Sequence, residues 1–442
     1  MSFPRYPTYK DSGVEWLGEV PEHWEVKPVR NLASIVNGYP FDSALFDAAE
    51  GFPLIRIRDL NKIEAETFYK GEFVENAAIT SDDVLIGMDG DFNVGRWRGA
   101  GRALLNQRMC CVRGKSNILT RLLEYALPIR LKAINDVTYA TTVKHLASSQ
   151  VEKTFVAIPP DTVEQIQIAA FLDRETAKID GLVAEQRRLM ELLKEKRQAV
   201  ISHAVTQGLN PNAPMKTSGI EWLGDVPSHW EVKRLKHISP FITVGVVVNP
   251  SSFVADEGFP FIYGGDIREG VIDWENSRRI GAESSEANSK TRLKAGDLLT
   301  VRVGAPGITA VVPLECEGGN CASVMLVRQG SFNSYWLCYA MNTRIVRFQV
   351  EVVQYGAAQE QFNISHAVNF WAPTPPRAEQ DAIAEFLACE TAKFDTLTAE
   401  AQRAIDLLQE RRTALISAAV TGQIDVRGLV ASAPALPEAT CV

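Results

Sequence analysis

The chain has 442 residues, 46% apolar and 23% charged, with a net charge of −8. That length exceeds one ordinary core and implies two or three domains of a globular protein. No apolar run reaches the roughly 18 residues of a membrane span, and the acidic balance excludes an evenly basic surface while leaving room for a local basic face. The opening MSFPRYPTYKDSG lacks the charged-then-apolar pattern of an export signal, so a cytoplasmic protein is expected. Seven cysteines at scattered spacings fit reduced thiols, and the Cys316/Cys321 pair lacks the second Cys or His pair of a zinc site.

Read in chain order, the sequence is written twice. Residues 12–27, SGVEWLGEVPEHWEVK, return as SGIEWLGDVPSHWEVK at 218–233, with thirteen of sixteen positions identical. Residues 164–206 return at 379–421 with 25 identities in 43 positions and no gap. The stretches between, about 28–157 and 234–372, resemble each other only faintly. Gly51-Phe52-Pro53 with Asp59 echoes Gly258-Phe259-Pro260 with Asp266, and Cys111-Val112-Arg113 echoes Leu326-Val327-Arg328. Runs such as Pro53–Ile57 and Asp297–Val303 read as strands between Gly and Asp turns.

The repeated 43-residue stretches read as helices. Leu172, Ile179, Leu182, Leu189, Leu193 and Val200 form an apolar seam in the first. Leu387, Phe394, Leu397, Ala401, Ala404, Leu408 and Leu415 form it in the second. Gln186, Lys196 and His203 interrupt the first seam. Pro159-Pro160 and Pro375-Pro376 precede the helices, and Gly208 and Gly422 follow them. Each would be a rod of roughly 65 Å, too long to bury its seam alone, and its own repeat is the natural partner in a coiled coil. The expected architecture is α+β, with a pseudo-twofold internal repeat. It divides into 1–27, a first globular part 28–157, a helix 158–208, a linker and second copy 209–233, a second globular part 234–372, a helix 373–427 and a disordered tail 428–442.

The motif SGxEWLGxVPxHWEVK, the opening EQxxIAxFLxxETAKxD and the close RxxLISxAVTxG resemble the specificity subunits of type I restriction-modification systems, over nearly the whole chain. The resemblance implies two target-recognition domains joined by two long antiparallel helices. It also implies that each domain reads half of a bipartite, asymmetric site in double-stranded DNA. The expected partners are two modification methyltransferase subunits, with restriction and translocase subunits as further ones and no membrane. S-adenosylmethionine, ATP and Mg would belong to those subunits, and this chain would carry no cofactor, no metal and no catalytic residue.

For DNA contact the richest segment is 96–132, where Arg96, Arg98, Arg102 and Arg108 lead nine cations against Glu124. Arginines and glycine-loop amides suit phosphates, and arginine suits guanine. The plain alternative is a solvated face paired to Asp82, Asp83, Asp89 and Asp91. Arg278, Arg279, Lys290, Arg292, Lys294 and Arg302 form a looser cluster in the second half, and Lys144 and Gln361 stand just before the constant helices. Trp16, Trp24, Trp222 and Trp230, with His23 and His229, are expected to pack each globular part onto its helix or to dock a subunit.

Catalytic motifs fail on inspection. Gly114-Lys115-Ser116 has Met109 where a phosphate loop needs glycine. Asn249-Pro250 runs into Ser251-Ser252 instead of the Pro-aromatic pair of an adenine methylase. The nuclease-like set Asp11 with Glu25-Val26-Lys27 loses its aspartate to Thr217 in the repeat. A self-sufficient DNA enzyme is thus disfavoured. A coiled-coil interaction scaffold without DNA readout is the alternative, and two large divergent globular parts speak against it.

Overall fold

The echo between the two variable halves is a backbone requirement. In the computed structural model, which describes residues 3–137, 144–354 and 362–429, Gly51 and Gly258 both take positive φ. A Cβ at either would strike the carbonyl oxygen of Tyr69 at 2.4 Å or of Ile280 at 2.3 Å. Only glycine relieves both constraints. Asp59 and Asp266, eight residues on, each close a short 3-10 turn by accepting a backbone N–H three residues back, from Arg56 at 2.9 Å and Tyr263 at 2.8 Å.

The chain forms two compact units, one from residues 1–186 with 403–442 and the other from 187–402. Each contains a four-stranded sheet of the same order and a second sheet, of five strands in the first unit and four in the second. In the first unit Val94–Gly95, Val84–Gly87, Met109–Gly114 and Ala33–Asn37 lie in that order, all antiparallel. In the second unit the order is Thr309–Val311, Leu298–Thr300, Met325–Val327 and Ile242–Val244. The other sheet has a parallel pairing at its centre, Phe52–Ile55 with Ala103–Leu105 and Phe259–Ile262 with Asn320–Cys321. The strands expected at Pro53–Ile57 and Asp297–Val303 are shorter, Phe52–Ile55 and Leu298–Thr300. Val84–Gly87 and Leu298–Thr300 are buried throughout.

A matched ion pair locks each four-stranded sheet. Arg113 donates two hydrogen bonds of 2.7 Å to Asp83, and Arg328 pairs with Asp297 in the second unit. Burial works to raise the Asp83 carboxyl. The Arg113 fork and the Thr80 amide outweigh it and hold it below the ordinary range. The helix Asn117–Val137 crosses the first sheet. The pair Ser334–Asn342 and Arg344–Gln354 occupies the corresponding stretch of the second half, and the Asn333 side chain caps the former.

The long helices run Thr162–Gln207 and Arg377–Val420. In the first unit the start of one lies near the end of the other, because Tyr6 hydrogen-bonds both neighbourhoods: its hydroxyl donates to Glu164, while its amide meets Tyr9, whose hydroxyl reaches the Gly422 carbonyl. In the second unit Ile201, Ala204 and Val205 share a core with Ile383 and Leu387. The helices are therefore antiparallel. The seam keeps Leu172, Ile179, Leu387, Phe394, Ala401 and Leu415 buried as read from sequence. Leu182, Leu189 and Leu397 are instead exposed, and Val183 and Ile405 are buried. Strict alternation of four and three from Ile179 leads to Val183, Gln186 and Met190, so the leucines one place earlier face away. Gln186 lies on the seam, and Lys196 and His203 are exposed, so neither interrupts it.

Candidate nucleic-acid interface

The repeated tryptophan segments are structural joints. Glu25–Pro28 pairs with Phe155–Ile158, and Glu231–Arg234 pairs with Trp371–Thr374, tying each globular part to the strand before its helix. Trp24 and Trp230 are fully buried and donate to Glu164 and Glu379, with His23 and His229 on the same carboxylates. Trp16 and Trp222 are half-buried, the former beneath Arg130 at 5.8 Å and the latter beside Phe348 at 6.0 Å.

The first arginine cluster divides into struts and free cations. Arg96 is largely buried, with Nε 2.7 Å from Glu124 and Nη1 3.3 Å from the Asp82 carbonyl, so it braces the fold. Arg102 forks onto Glu75 and lies over the Phe73 ring at 4.6 Å. Arg98 is exposed, and no side-chain partner holds it among the described residues. Part of the cluster thus follows the paired reading, since Asp83 takes Arg113 and Asp89 takes Arg108.

Arg108 stands out for how it is held. Its Nη1 lies 2.6 Å from one oxygen of Asp89, and His145 Nδ1 lies 2.7 Å from the other. Burial works to raise the Asp89 carboxyl, but the bonds from His145 and Arg108 outweigh it and keep it below the ordinary range. Lys144 Nζ reaches the Asn135 carbonyl at 2.6 Å and its side-chain oxygen at 2.9 Å, so it is committed within the fold. Asp89 and His145 were not singled out as readers from sequence. The acidic run around Asp89 marked it only as a counter-charge, and nothing local points to His145.

In the second unit Lys290, Arg292 and Lys294 are exposed, with no side-chain partner among the described residues. Arg278 lies over Tyr263 at 4.3 Å, and Arg279 donates to the Glu275 carbonyl at 3.3 Å. Arg302 is half-buried with Nε 3.0 Å from the Phe362 carbonyl, and burial lowers its pKa. Gln361 lies outside the described residues. Cys316 and Cys321 are buried, which pushes both thiols up to about 12, so they stay protonated and poor as ligands at neutral pH. Among the described residues no group of three His, Cys, Asp or Glu side chains could hold a metal.

A sequence model of the type I restriction modification DNA specificity domain matches residues 21–188. The EcoBI specificity subunit of Escherichia coli is 29% identical over 430 residues, covering 94% of this chain and 89% of that one. The chain is similar to the type I restriction-modification specificity subunits over nearly its whole length. A putative specificity subunit of Methanocaldococcus jannaschii, MjaX, is 22% identical over 436 residues, 93% of this chain and 96% of that one. A solved structure described as the basis of complex assembly and conformational transition of the type I R-M system superposes with TM-score 0.67 at 17% identity. It covers 93% of this chain and 99% of that one, and it establishes the likeness of fold. No described helix is long and apolar enough to cross a membrane.

Proposed function

We propose that each unit of this DNA sequence-specificity subunit reads one half of a bipartite, asymmetric site, and that the long helices dock two modification methyltransferase subunits. One observation carries the reading. The two units share strand order, paired glycines and the Asp–Arg lock, yet their exposed loops differ in chemistry. A common scaffold with unlike edges is what two readers of unlike half-sites require. Exposed leucines on the helices, Leu182 and Leu407 in the first unit and Leu189, Leu192 and Leu397 in the second, supply apolar contacts for partner helices. S-adenosylmethionine, and the ATP and Mg of any restriction or translocase subunits, belong to those partners, and the assembly works in the cytoplasm.

The test is to replace residues 28–157 with the corresponding part of a relative and map methylation by the assembled enzyme. One half-site should change and the other persist. A joint change in both half-sites refutes the two-reader account, and an assembly without any sequence preference favours a scaffold.

A further inference from the structure

The hairpin turn at residues 88–93 is built with strain. Phe92 is buried yet takes φ +52°, the left-handed region that a bulky aromatic avoids. Its counterpart in the second unit is Gly307, φ +95°, the residue type that adopts it freely. The correspondence follows from the ladder. Gly87 N–H donates to the Asn93 carbonyl, and Val301 N–H donates to that of Ile308, each closing the same turn. Gly90 and Gly304 match as well, at φ +78° and +86°. One residue before these glycines stand Asp89 in the first unit and Val303, half of it exposed, in the second.

Three backbone hydrogen bonds to two other segments brace Asp89. Met88 N–H donates to the Arg108 carbonyl at 2.9 Å, Leu146 N–H to the Met88 carbonyl at 2.7 Å and Gly90 N–H to the Lys144 carbonyl at 3.1 Å. The carboxylate in turn takes Arg108 on one oxygen and His145 on the other. Asp89 itself is only 15% exposed, whereas Arg108 is 63% exposed. A guanidinium has five N–H donors, and Asp89 engages only one nitrogen of the group. Among the described residues no other side chain engages the fork, which is largely open to solvent.

We propose that Asp89 is a positioning residue that holds Arg108 so that its free edge reads a guanine, through N7 and O6, in the half-site taken by the first unit. This rests on the two-reader account above. A base contact is favoured over a phosphate contact on charge grounds. Asp89 cancels the arginine's net charge, which weakens phosphate attraction, but leaves its donors directed, and direction is what a bidentate guanine contact uses. The strained turn and the backbone brace fit that need for orientation.

The experiment uses the full chain assembled with its methyltransferase subunits and duplexes bearing the mapped target. Each guanine of the first unit's half-site is replaced in turn by 7-deazaguanine, which lacks the N7 acceptor. At one position the wild-type assembly should lose affinity roughly tenfold, and Arg108→Ala should be blind to that replacement. Asp89→Asn should relax the preference at the same base pair while leaving the slope of log affinity against log salt unchanged. Undiminished preference for the second half-site shows that each variant is folded. Sensitivity nowhere, a half-site without guanine on either strand, or Arg108→Ala retaining the same sensitivity would overturn the proposal. So would a slope lowered by about 0.9 with base preference intact, which marks a phosphate contact. A wild-type assembly with no preference for the mapped sequence overturns the two-reader account itself.

Discussion

Trp24 donates its indole N–H to Glu164 across 140 positions of chain, at 3.0 Å. The same carboxylate takes the Tyr6 hydroxyl at 2.8 Å and meets His23 at 2.9 Å, in a site where Glu164 keeps 4% of its side chain exposed. The repeat keeps the tryptophan and histidine on Glu379, whose side chain is 42% exposed.

That difference orders two variants. Glu164→Ala strands a buried indole and a buried phenol, each costing about 1–3 kcal/mol, so the first unit should lose about 3 kcal/mol. Glu379→Ala should cost the second unit about half as much, since water reaches its site. Peptide-level amide exchange reads the units separately. An equal or larger loss at Glu379 contradicts the burial argument.

Asp83 gives a pH dependence with a definite sign. Its folded pKa lies below the ordinary value because Arg113 and the Thr80 amide overcome burial. Its contribution to stability is therefore complete above the unfolded carboxylate pKa near ~3.9 and fades as pH falls through the lower folded value. Asp83→Asn should be less stable at neutral pH and should close much of its gap to wild type under acid. A gap that stays constant down to about pH 2 would remove Asp83 from the acid response.

Salt separates the arginines. Arg98→Ala should lower the slope of log affinity against log salt by about 0.9, the loss of one phosphate contact. Arg96→Ala should leave the slope alone and cost stability instead, because Arg96 braces Glu124 and the Asp82 carbonyl. Lys290, Arg292 and Lys294 changed together should lower it by about 0.9 each. The reverse pattern between Arg96 and Arg98 would return Arg98 to ordinary surface.

The helix seam makes a sharp distinction between near neighbours. Ile405 is buried and Leu407 is 65% exposed. Ile405→Ala should cost about 2–4 kcal/mol, and Leu407→Ala within about 0.5 kcal/mol in the isolated chain. Denaturant unfolding of the two variants checks this, and similar losses would refute the placing of Ile405 on the buried seam.

The sequence by itself determined the duplication, the helical character of the two repeated 43-residue stretches and the α+β class, because these rest on identity between copies and on local periodicity. The paired glycines and aspartates were legible as an echo, since a positive φ and a turn cap restrict the residue type at one position. The tertiary structure alone decided the rest. Leu182 and Val183 are both apolar and adjacent, and only the partner helix selects Val183 for the seam. Arg96 and Arg98 are two residues apart and identical in type, yet one meets Glu124 across 28 positions and the other meets solvent. Arg108, Asp89 and His145 come from three separate segments, and their ion pairs depend on distances through space that no spacing along the chain records.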